Sequence, residues 1–397
     1  MLKPDTAKTQ RLLEEIVRKL LPKILDFTRR ADMVLFTLCM ICAILGLIVI
    51  DSASATLETP ARFVIVQTVC LLIGVGLFVL FTIIDLDIIA DKWIILVAFE
   101  IALLLALFIF GEDDGTGNKA WIRFGAIGVQ PSEVIKVVFI VVMAKHIAYL
   151  KNYKNLDSII SMGQLMIHCV MIVGMLVVIS GDLGSALVYL FVFVAMIFAA
   201  GVKFYWFLIG FAGIAAFTPI FWTQILKDYH RNRIMAPYVA SIDPLEVGIK
   251  WQSSQSKIAL ANGQTWGTGL YNGPITQSLK LPEKQTDFIF SVIGEELGMI
   301  ACVAVFALLM AIIIRCIYIG VKSRNTMSML VCFGVAGSLI FQTFENIGMC
   351  IGIAPIIGIT LPFLSYGGSS MFSMLAAVGL VSGVKYRPKP ERFVSYR

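Results

Sequence analysis

The residues best suited to chemistry lie in the stretch Leu281-Pro-Glu-Lys-Gln-Thr-Asp287, which ends the longest polar segment and leads into an apolar run. A carboxylate at such a junction meets water on one side and hydrocarbon on the other. These surroundings can raise the pKa of an acid and suit it to removing a proton from a hydroxyl. Thr286 or Asp287 could instead cap a helix that begins here, by accepting hydrogen bonds from its free N–H groups. Asp287 is therefore a candidate general base, with a helix cap as the alternative.

Other ionisable residues lie near the ends of apolar runs. Glu133 and Lys136 are spaced i, i+3, so they share a helix face and can pair. Lys136 would lie about 8 Å inside the run at 1.5 Å per residue, and ionisable groups at membrane depth are functional candidates. A capping glutamate and a snorkelling lysine are the structural alternative. Asp182 lies in a tight turn between two runs, where a turn-forming role and a functional role both remain open.

The elements that must position these residues are membrane helices. The chain has 397 residues, of which 58% are hydrophobic and 15% are charged, and a helix needs about 20 apolar residues to cross a bilayer. We therefore predict an all-α membrane protein with about ten transmembrane helices. Their approximate ranges are 33–52, 62–84, 93–111, 131–150, 161–180, 183–200, 204–223, 288–315, 327–350 and 364–384.

The chain divides into three predicted parts. Residues 1–31 carry apolar residues at helical spacing with basic residues between them, which predicts a cytoplasmic amphipathic arm on an anionic membrane face. Residues 32–385 form the transmembrane domain, with a large extracellular loop at 224–287 between the seventh and eighth helices. A loop of this length is usually functional. Residues 386–397 form a basic tail. Because Lys and Arg concentrate in the arm, the tail and alternate connections, and because the number of spans is even, we predict a multi-pass protein with both termini in the cytoplasm.

Two of the outer segments are unusual. Trp121, with Lys119 and Arg123 beside it, combines aromatic and basic residues as membrane-interface segments do. Residues 352–370 contain two prolines and four glycines, which interrupt regular helix at a depth where irregular backbone must be buried or line a cavity. Glu345 precedes this segment and must face the bundle interior, pair or be protonated.

These segments, in this order over ten spans, resemble the SEDS family of bacterial cell-wall proteins, which includes RodA and FtsW. The matching motifs are Gly117-Asn-Lys-Ala-Trp-Ile122, Gln130-Pro-Ser-Glu133, Leu281-Pro-Glu283, Thr286-Asp-Phe-Ile-Phe290 and Ser365-Tyr-Gly-Gly-Ser-Ser370. Asn346-Ile-Gly-Met349 leans towards RodA. The chain departs from the family at Ser180-Gly181, where Gln-Pro is usual, and at Gln285, where His is common.

The resemblance implies a peptidoglycan glycosyltransferase that polymerises lipid II at the outer face of the plasma membrane and works with a class B penicillin-binding protein. Asp287 matches the essential loop aspartate of the family and would be the base of an inverting transfer. A divalent cation, Mg²⁺ or Mn²⁺, would help at the pyrophosphate, with unknown ligands. The expected substrate-binding residues are Lys119, Trp121, Arg123, Glu133, Lys136, Asp182, Ser365 and Ser369.

Two other classes of function remain open. A lipid flippase or secondary transporter would also have an intramembrane acid such as Glu345 and a broken helix such as 352–370. A non-catalytic scaffold for wall-synthesis partners would tolerate loss of the Asp287 carboxylate. The sequence does not distinguish roles in elongation, division or sporulation.

Overall fold

The computed structural model describes residues 22–23, 25–112, 119–124, 127–226, 228–235, 238–239, 243 and 250–387. These residues are mainly helical, with one antiparallel hairpin of β1 (Ile122–Phe124) and β2 (Ile127–Val129). The helices are α1 (Met33–Ser54), α2 (Pro60–Ile83), α3 (Leu86–Ala90), α4 (Trp93–Phe110), α5 (Pro131–Tyr153), α6 (Ile159–Ser180), α7 (Leu183–Ala200), α8 (Phe204–Ile220), α9 (Asp228–Met235), α10 (Trp251–Gly263), α11 (Ile289–Lys322), α12 (Thr326–Ile351) and α13 (Gly368–Tyr386).

The prediction of an all-α, multi-pass membrane protein is confirmed. Within the described part of the chain, nine helices are long and apolar enough to cross a membrane. The predicted span that is not among these nine is the fourth, 131–150, which corresponds to α5. This helix has 23 residues and begins at Pro131, as its sequence indicates. Its length is sufficient for a membrane span. It differs from the nine other helices in its charged residues, which include Glu133, Lys136 and Lys145. Most of the predicted arm and residues 388–397 of the tail lie outside the described residues.

The core of the bundle lies around the two C-terminal helices. α13 packs along α2, and α12 packs against α5, α7 and α11. The α13–α2 contact is close because a Cβ on Gly379 would lie only 2.7 Å from the Phe78 carbonyl oxygen. In contrast, α8 contains no buried residue. The helices that carry the polar candidate residues are therefore the enclosed ones.

The predicted loop at 224–287 contains regular structure in its described residues. The segment includes α9, α10 and a 3₁₀ turn at Thr276–Ser278, and α10 packs on α11. A π-helical turn at Phe221–Ile225 continues α8. The polar, glycine-rich sequence of the segment does not predict these helices, because α10 carries many small and polar side chains and packs only one face against the bundle.

α11 is broken near its N-terminal end at Gly298, whose backbone has φ 82° and ψ 177°. The loop after α10 pairs the backbone groups that the break releases. Thr268 and Gly269 donate their N–H groups to the Glu295 and Glu296 carbonyl oxygens, each at 2.9 Å. In return, Met299 donates to the Gln264 carbonyl oxygen at 2.9 Å. The loop therefore pairs backbone polar groups that the break in α11 leaves without helical partners.

We expect Gly298→Ala to lower the thermal unfolding temperature of the purified protein. The φ and ψ values at this position are accessible mainly to glycine, and strain of this kind costs about 1–3 kcal/mol. In addition, a Cβ there would lie 2.4 Å from the Gly267 nitrogen. Gly174→Ala in α6 is the matched control, because nothing lies within 4 Å of its Cβ position. Equal unfolding temperatures for the two variants would contradict this account of the break.

At the end of the bundle away from the α11 break, a cluster of charged side chains around the buried Asp32 connects three helices. The Asp32 carboxylate, fully buried just before α1, accepts two hydrogen bonds from Arg315 Nε and Nη2 at its Oδ2, at 3.0 and 2.7 Å, and lies 3.3 Å from Lys385 Nζ. Its backbone N–H donates to Ser382 Oγ at 3.1 Å. We call Asp32, Arg315 and Lys385 the inner clasp. It joins α1, α11 and α13 at one end of the bundle.

Candidate active site

Asp287 lies in a tight turn directly before α11. The N–H groups of Thr286, Asp287 and Phe288 all donate to the Glu283 carbonyl oxygen, at 3.0–3.2 Å. Phe288 occupies the N-cap position of α11 and makes no side-chain capping bond. Asp287 is half-buried and lies one residue before this N-cap, and its role as a general base stays a prediction.

Asn346 ties this turn to the broken segment before α13. Its fully buried side-chain amide donates to the carbonyl oxygens of Asp287 and Ile359, both at 2.7 Å. Asn346 belongs to the Asn-Ile-Gly-Met motif, but nothing in the motif predicts this bridge. Both acceptors are backbone atoms, so the amide fixes the position of the turn.

The broken segment runs between two carboxylates. On one side, Asp287 Oδ2 lies 3.4 Å from the position that a Cβ on Gly358 would take. On the other side, a Cβ on Gly184 would lie 2.8 Å from the Ile357 carbonyl oxygen and 3.4 Å from Asp182 Oδ1. Residues 357–359 therefore separate the two acids. Residues 361–370 are almost all buried, as expected for irregular backbone at this depth, whereas Ile353 and Gly358 are exposed.

Asp182 is the N-cap of α7 and is held by several donors. Its Oδ1 accepts from the Ser185 N–H at 2.8 Å, and its Oδ2 accepts from Ser185 Oγ at 2.6 Å and from Gln130 Nε2 at 3.1 Å. Burial raises the pKa of the Asp182 carboxyl above its ordinary value; the Glu133 charge acts in the same direction, and the hydrogen bonds oppose it. The turn-forming reading of Asp182 is thus correct, and the same carboxylate contacts the neighbouring polar network.

Glu133 and Lys136 form the ion pair that their spacing predicts. Lys136 Nζ lies 2.7 Å from Glu133 Oε2, and the two side chains are 4% and 9% exposed. Ser373 Oγ in α13 donates to the same carboxylate oxygen at 3.3 Å. Buried charges of this kind are tolerated when they are paired and hydrogen-bonded. The lysine therefore does not snorkel to the surface, and its charge is kept inside the bundle.

The two serines of the last motif have different positions. Ser369 Oγ accepts from the Gln130 N–H at 3.2 Å. This hydrogen bond connects α13 to Gln130, whose side chain donates to Asp182. Ser365 Oγ accepts from the Leu361 N–H at 2.8 Å and so closes a turn. Gln67 of α2 holds this turn from below, by donating to the Ser365 carbonyl oxygen at 3.1 Å. Gln67 is not among the predicted site residues, although a glutamine within an apolar run indicates such a contact.

The three other predicted residues lie in or just before the hairpin. The Lys119 N–H donates to the Ser180 carbonyl oxygen at 3.1 Å, which places it beside the turn of Asp182, with an exposed side chain. Arg123 Nε lies 3.6 Å from Glu112 Oε2, and both side chains are more than half exposed. Trp121 is half-buried and packs its ring on Gly128. These residues lie beside the buried polar residues around Asp182, and the partner of Arg123 is the exposed Glu112.

A second buried network anchors the loop that leads to Asp287. Lys284 is 1% exposed, and its Nζ donates to Thr56 Oγ1 at 2.8 Å and to the Thr276 carbonyl oxygen. Burial lowers the pKa of Lys284, and the charges of Glu296 and Glu295 oppose this shift. Glu295 also accepts from the Thr276 N–H and Oγ1, both at 2.7 Å. Because Lys284 lies three residues before Asp287, this network restrains the turn that carries the carboxylate.

Taken together, the fold and the site define a helical membrane protein with acidic and basic groups buried at one end of its bundle. The chain belongs to the FtsW/RodA/SpoVE family of cell cycle proteins, whose model matches residues 32–389. This result confirms the resemblance that the motifs indicate.

Several known proteins are similar to this chain. It is 33% identical to the peptidoglycan glycosyltransferase MrdB of Escherichia coli over 72% of this chain and 75% of that protein. It is 31% identical to stage V sporulation protein E of Bacillus subtilis, over 89% and 96% of the two chains.

Solved structures share the fold. A chain from the structure entitled "Structural coordination of polymerization and crosslinking by a peptidoglycan synthase complex" has a TM-score of 0.74 and 26% identity, over 89% of this chain and 97% of that one. The crystal structure of Thermus thermophilus RodA has a TM-score of 0.64 and 24% identity, over 89% and 96%.

Proposed function

We propose that this protein is a peptidoglycan glycosyltransferase that polymerises lipid II into glycan strands. The observation that carries the proposal is the position of Asp287 across residues 357–359 from Asp182. Gln130, which donates to Asp182, lies three residues before Glu133 of the buried Glu133–Lys136 pair. The names of the relatives supply the class of reaction. A site with a carboxylate on one side and a buried cation on the other suits transfer from an anionic donor.

The reaction is a displacement at the anomeric carbon of the lipid-linked donor. A hydroxyl of the acceptor sugar forms the new C–O bond, the bond to the pyrophosphate oxygen breaks, and the configuration inverts. Asp287 accepts the hydroxyl proton, so it is the proposed catalytic base. The pyrophosphate carries away the bonding electrons, and nearby positive charge stabilises it as it leaves.

Positive charge for the pyrophosphate comes from two kinds of group in this proposal. Lys136 is held inside the bundle by Glu133, and Lys119 and Arg123 approach from the exposed hairpin. A divalent cation, Mg²⁺ or Mn²⁺, would neutralise the phosphate oxygens further. The described residues hold no group of three or more His, Cys, Asp or Glu side chains placed to bind a metal. Such a cation would therefore depend on one or two carboxylates and on the substrate phosphates, as Mg²⁺ commonly does.

The distribution of charge supports an orientation with both termini in the cytoplasm. The end of the bundle opposite the site carries the inner clasp, and also Lys145 and Lys151 near the end of α5. Cytoplasmic segments of membrane proteins are enriched in Lys and Arg. In this orientation Asp287 faces the outside, where lipid II is polymerised.

The proposed partner is a class B penicillin-binding protein that crosslinks the new strands. Support comes from the similar structure of a peptidoglycan synthase complex, whose title pairs polymerisation with crosslinking. The assignment to elongation, division or sporulation depends on which such protein binds.

The deciding experiment is polymerisation of labelled lipid II by the purified full-length protein with Mn²⁺, alone and with a class B penicillin-binding protein. We expect glycan polymer in at least the second condition. Absence of polymer in both conditions, with transport of labelled lipid II across proteoliposomes, would replace the transferase with a flippase. Absence of both activities would favour a scaffold.

A further inference from the structure

Charged residues mark the two membrane boundaries on α1 and α11. Residues 33–50 and residues 297–314 contain no charged side chain, and each stretch is about 27 Å long at 1.5 Å per residue. This length is close to the ~30 Å thickness of a bilayer hydrocarbon core. Asp32 and Arg315 pair at the inner end of the two stretches, and Ser52 Oγ donates to Glu296 Oε2 at 2.5 Å at the outer end. The outer edge of the hydrocarbon therefore lies near Ser52 and Glu296.

Trp266 lies at this level. A Cβ on Gly298 would lie 2.4 Å from the Gly267 nitrogen and 2.6 Å from the Trp266 carbonyl carbon, so the loop rests on α11 two residues after Glu296. The loop is held there by the backbone bonds at the α11 break and by Tyr271, whose hydroxyl donates to Asp51 Oδ2 at 2.5 Å. The position of Trp266 along the membrane normal is thus set by the break in α11.

The Trp266 side chain is 81% exposed, although its backbone is held in place. Below this level α11 presents Met299, Ile300 and Val303, all roughly half exposed or more, on one outward face. In a spanning helix this face contacts lipid, and Trp266 continues the same apolar surface at its outer edge. Trp and Tyr are enriched at this level because an amphipathic ring can contact acyl chains and headgroups together.

We infer that residues 264–271 form a membrane-surface anchor, in which Trp266 inserts into the headgroup region of the outer leaflet. The occupant of this surface is phospholipid, because the exposed ring continues the lipid-facing surface of α11. The anchor holds the loop between α10 and α11 at a constant depth. Asp287 follows on the same connection and is therefore kept close to the membrane surface.

The test measures the fluorescence of Trp266 in proteoliposomes of phosphatidylcholine and phosphatidylglycerol. The full-length protein and Trp266→Phe are compared, and their difference spectrum reports Trp266 alone. With lipids brominated in the upper acyl chain, we expect this emission to lose the larger part of its intensity. It should be blue-shifted from that of tryptophan in water, and acrylamide should quench it weakly. Matched vesicles of unbrominated lipid give the reference intensity.

Emission that acrylamide quenches strongly and brominated lipid leaves unchanged would overturn the inference. Trp266 would then face water, where a protein partner would have to cover it. If Trp266→Phe does not fold, as judged by thermal unfolding, Trp266→Tyr provides the same difference spectrum. The measurement uses no lipid II, so its outcome is independent of the polymerisation experiment.

Discussion

Replacing Asp287 by asparagine is expected to reduce the rate of glycan polymerisation by roughly 10²–10⁴-fold. The amide has nearly the shape of the carboxylate but cannot accept the hydroxyl proton. The contacts to Asn346 and Glu283 use backbone atoms of Asp287, so they remain in the variant and the protein should stay folded. The measurement is the initial rate of lipid II polymerisation, with thermal unfolding recorded on the same samples.

Glu283→Gln is the matched control for this substitution. Glu283 lies in the same turn, is exposed, and accepts from Thr286 Oγ1 at 3.0 Å through Oε2. The Glu283→Gln variant loses the same negative charge from this turn but keeps the proposed base, so most of the activity should remain. If folded Asp287→Asn protein polymerised lipid II at the wild-type rate, the base would have to be another carboxylate, and Asp182→Asn would be the next variant to measure.

Removing the Lys136 charge should affect both stability and catalysis. In Lys136→Met the Glu133 carboxylate is left buried with only the weak contact to Ser373, and breaking a buried ion pair in this way costs about 3–5 kcal/mol. We expect a lower unfolding temperature and little polymer. Lys145→Met is the control, because Lys145 pairs with an exposed Asp91 at the opposite end of the bundle, and surface pairs contribute about 0–1 kcal/mol.

The double variant Glu133→Gln with Lys136→Met separates the two effects. The double variant has no uncompensated buried charge, so its unfolding temperature should lie close to that of the wild type and above that of Lys136→Met. Polymerisation should stay low, because the leaving pyrophosphate no longer meets the Lys136 ammonium. A double variant with wild-type activity would assign the pair to folding alone.

Local spacing predicted those parts of the site that depend on one helix. The Glu133–Lys136 contact follows from i, i+3 geometry, and Pro131 begins α5 because its missing N–H and fixed φ suit a first helical turn. The existence and approximate ranges of the apolar helices followed from run lengths. Run lengths do not distinguish a cap from a base at Asp287, because they do not fix the first residue of a helix.

Long-range contacts could not be read from spacing. The bridge from Asn346 to the Asp287 and Ile359 carbonyl oxygens joins residues 59 and 13 positions apart, and many polar residues could have filled the same role. The passage of residues 357–359 between Asp287 and Asp182 depends on how three separate elements pack. The pairing of the α11 break with residues 264–269 was equally hidden, since backbone groups carry no sequence signal.

The inner clasp and the contacts of α13 also bear on how the protein is made. α1 enters the membrane early with a buried Asp32, but the Arg315 and Lys385 charges that neutralise it arrive with α11 and α13. α13 also brings Ser373 to Glu133 and Ser369 to Gln130. Without α13, a nascent chain lacks Lys385 beside Asp32 and also lacks the serines that contact Glu133 and Gln130. The proposed site is therefore complete only after α13 has inserted.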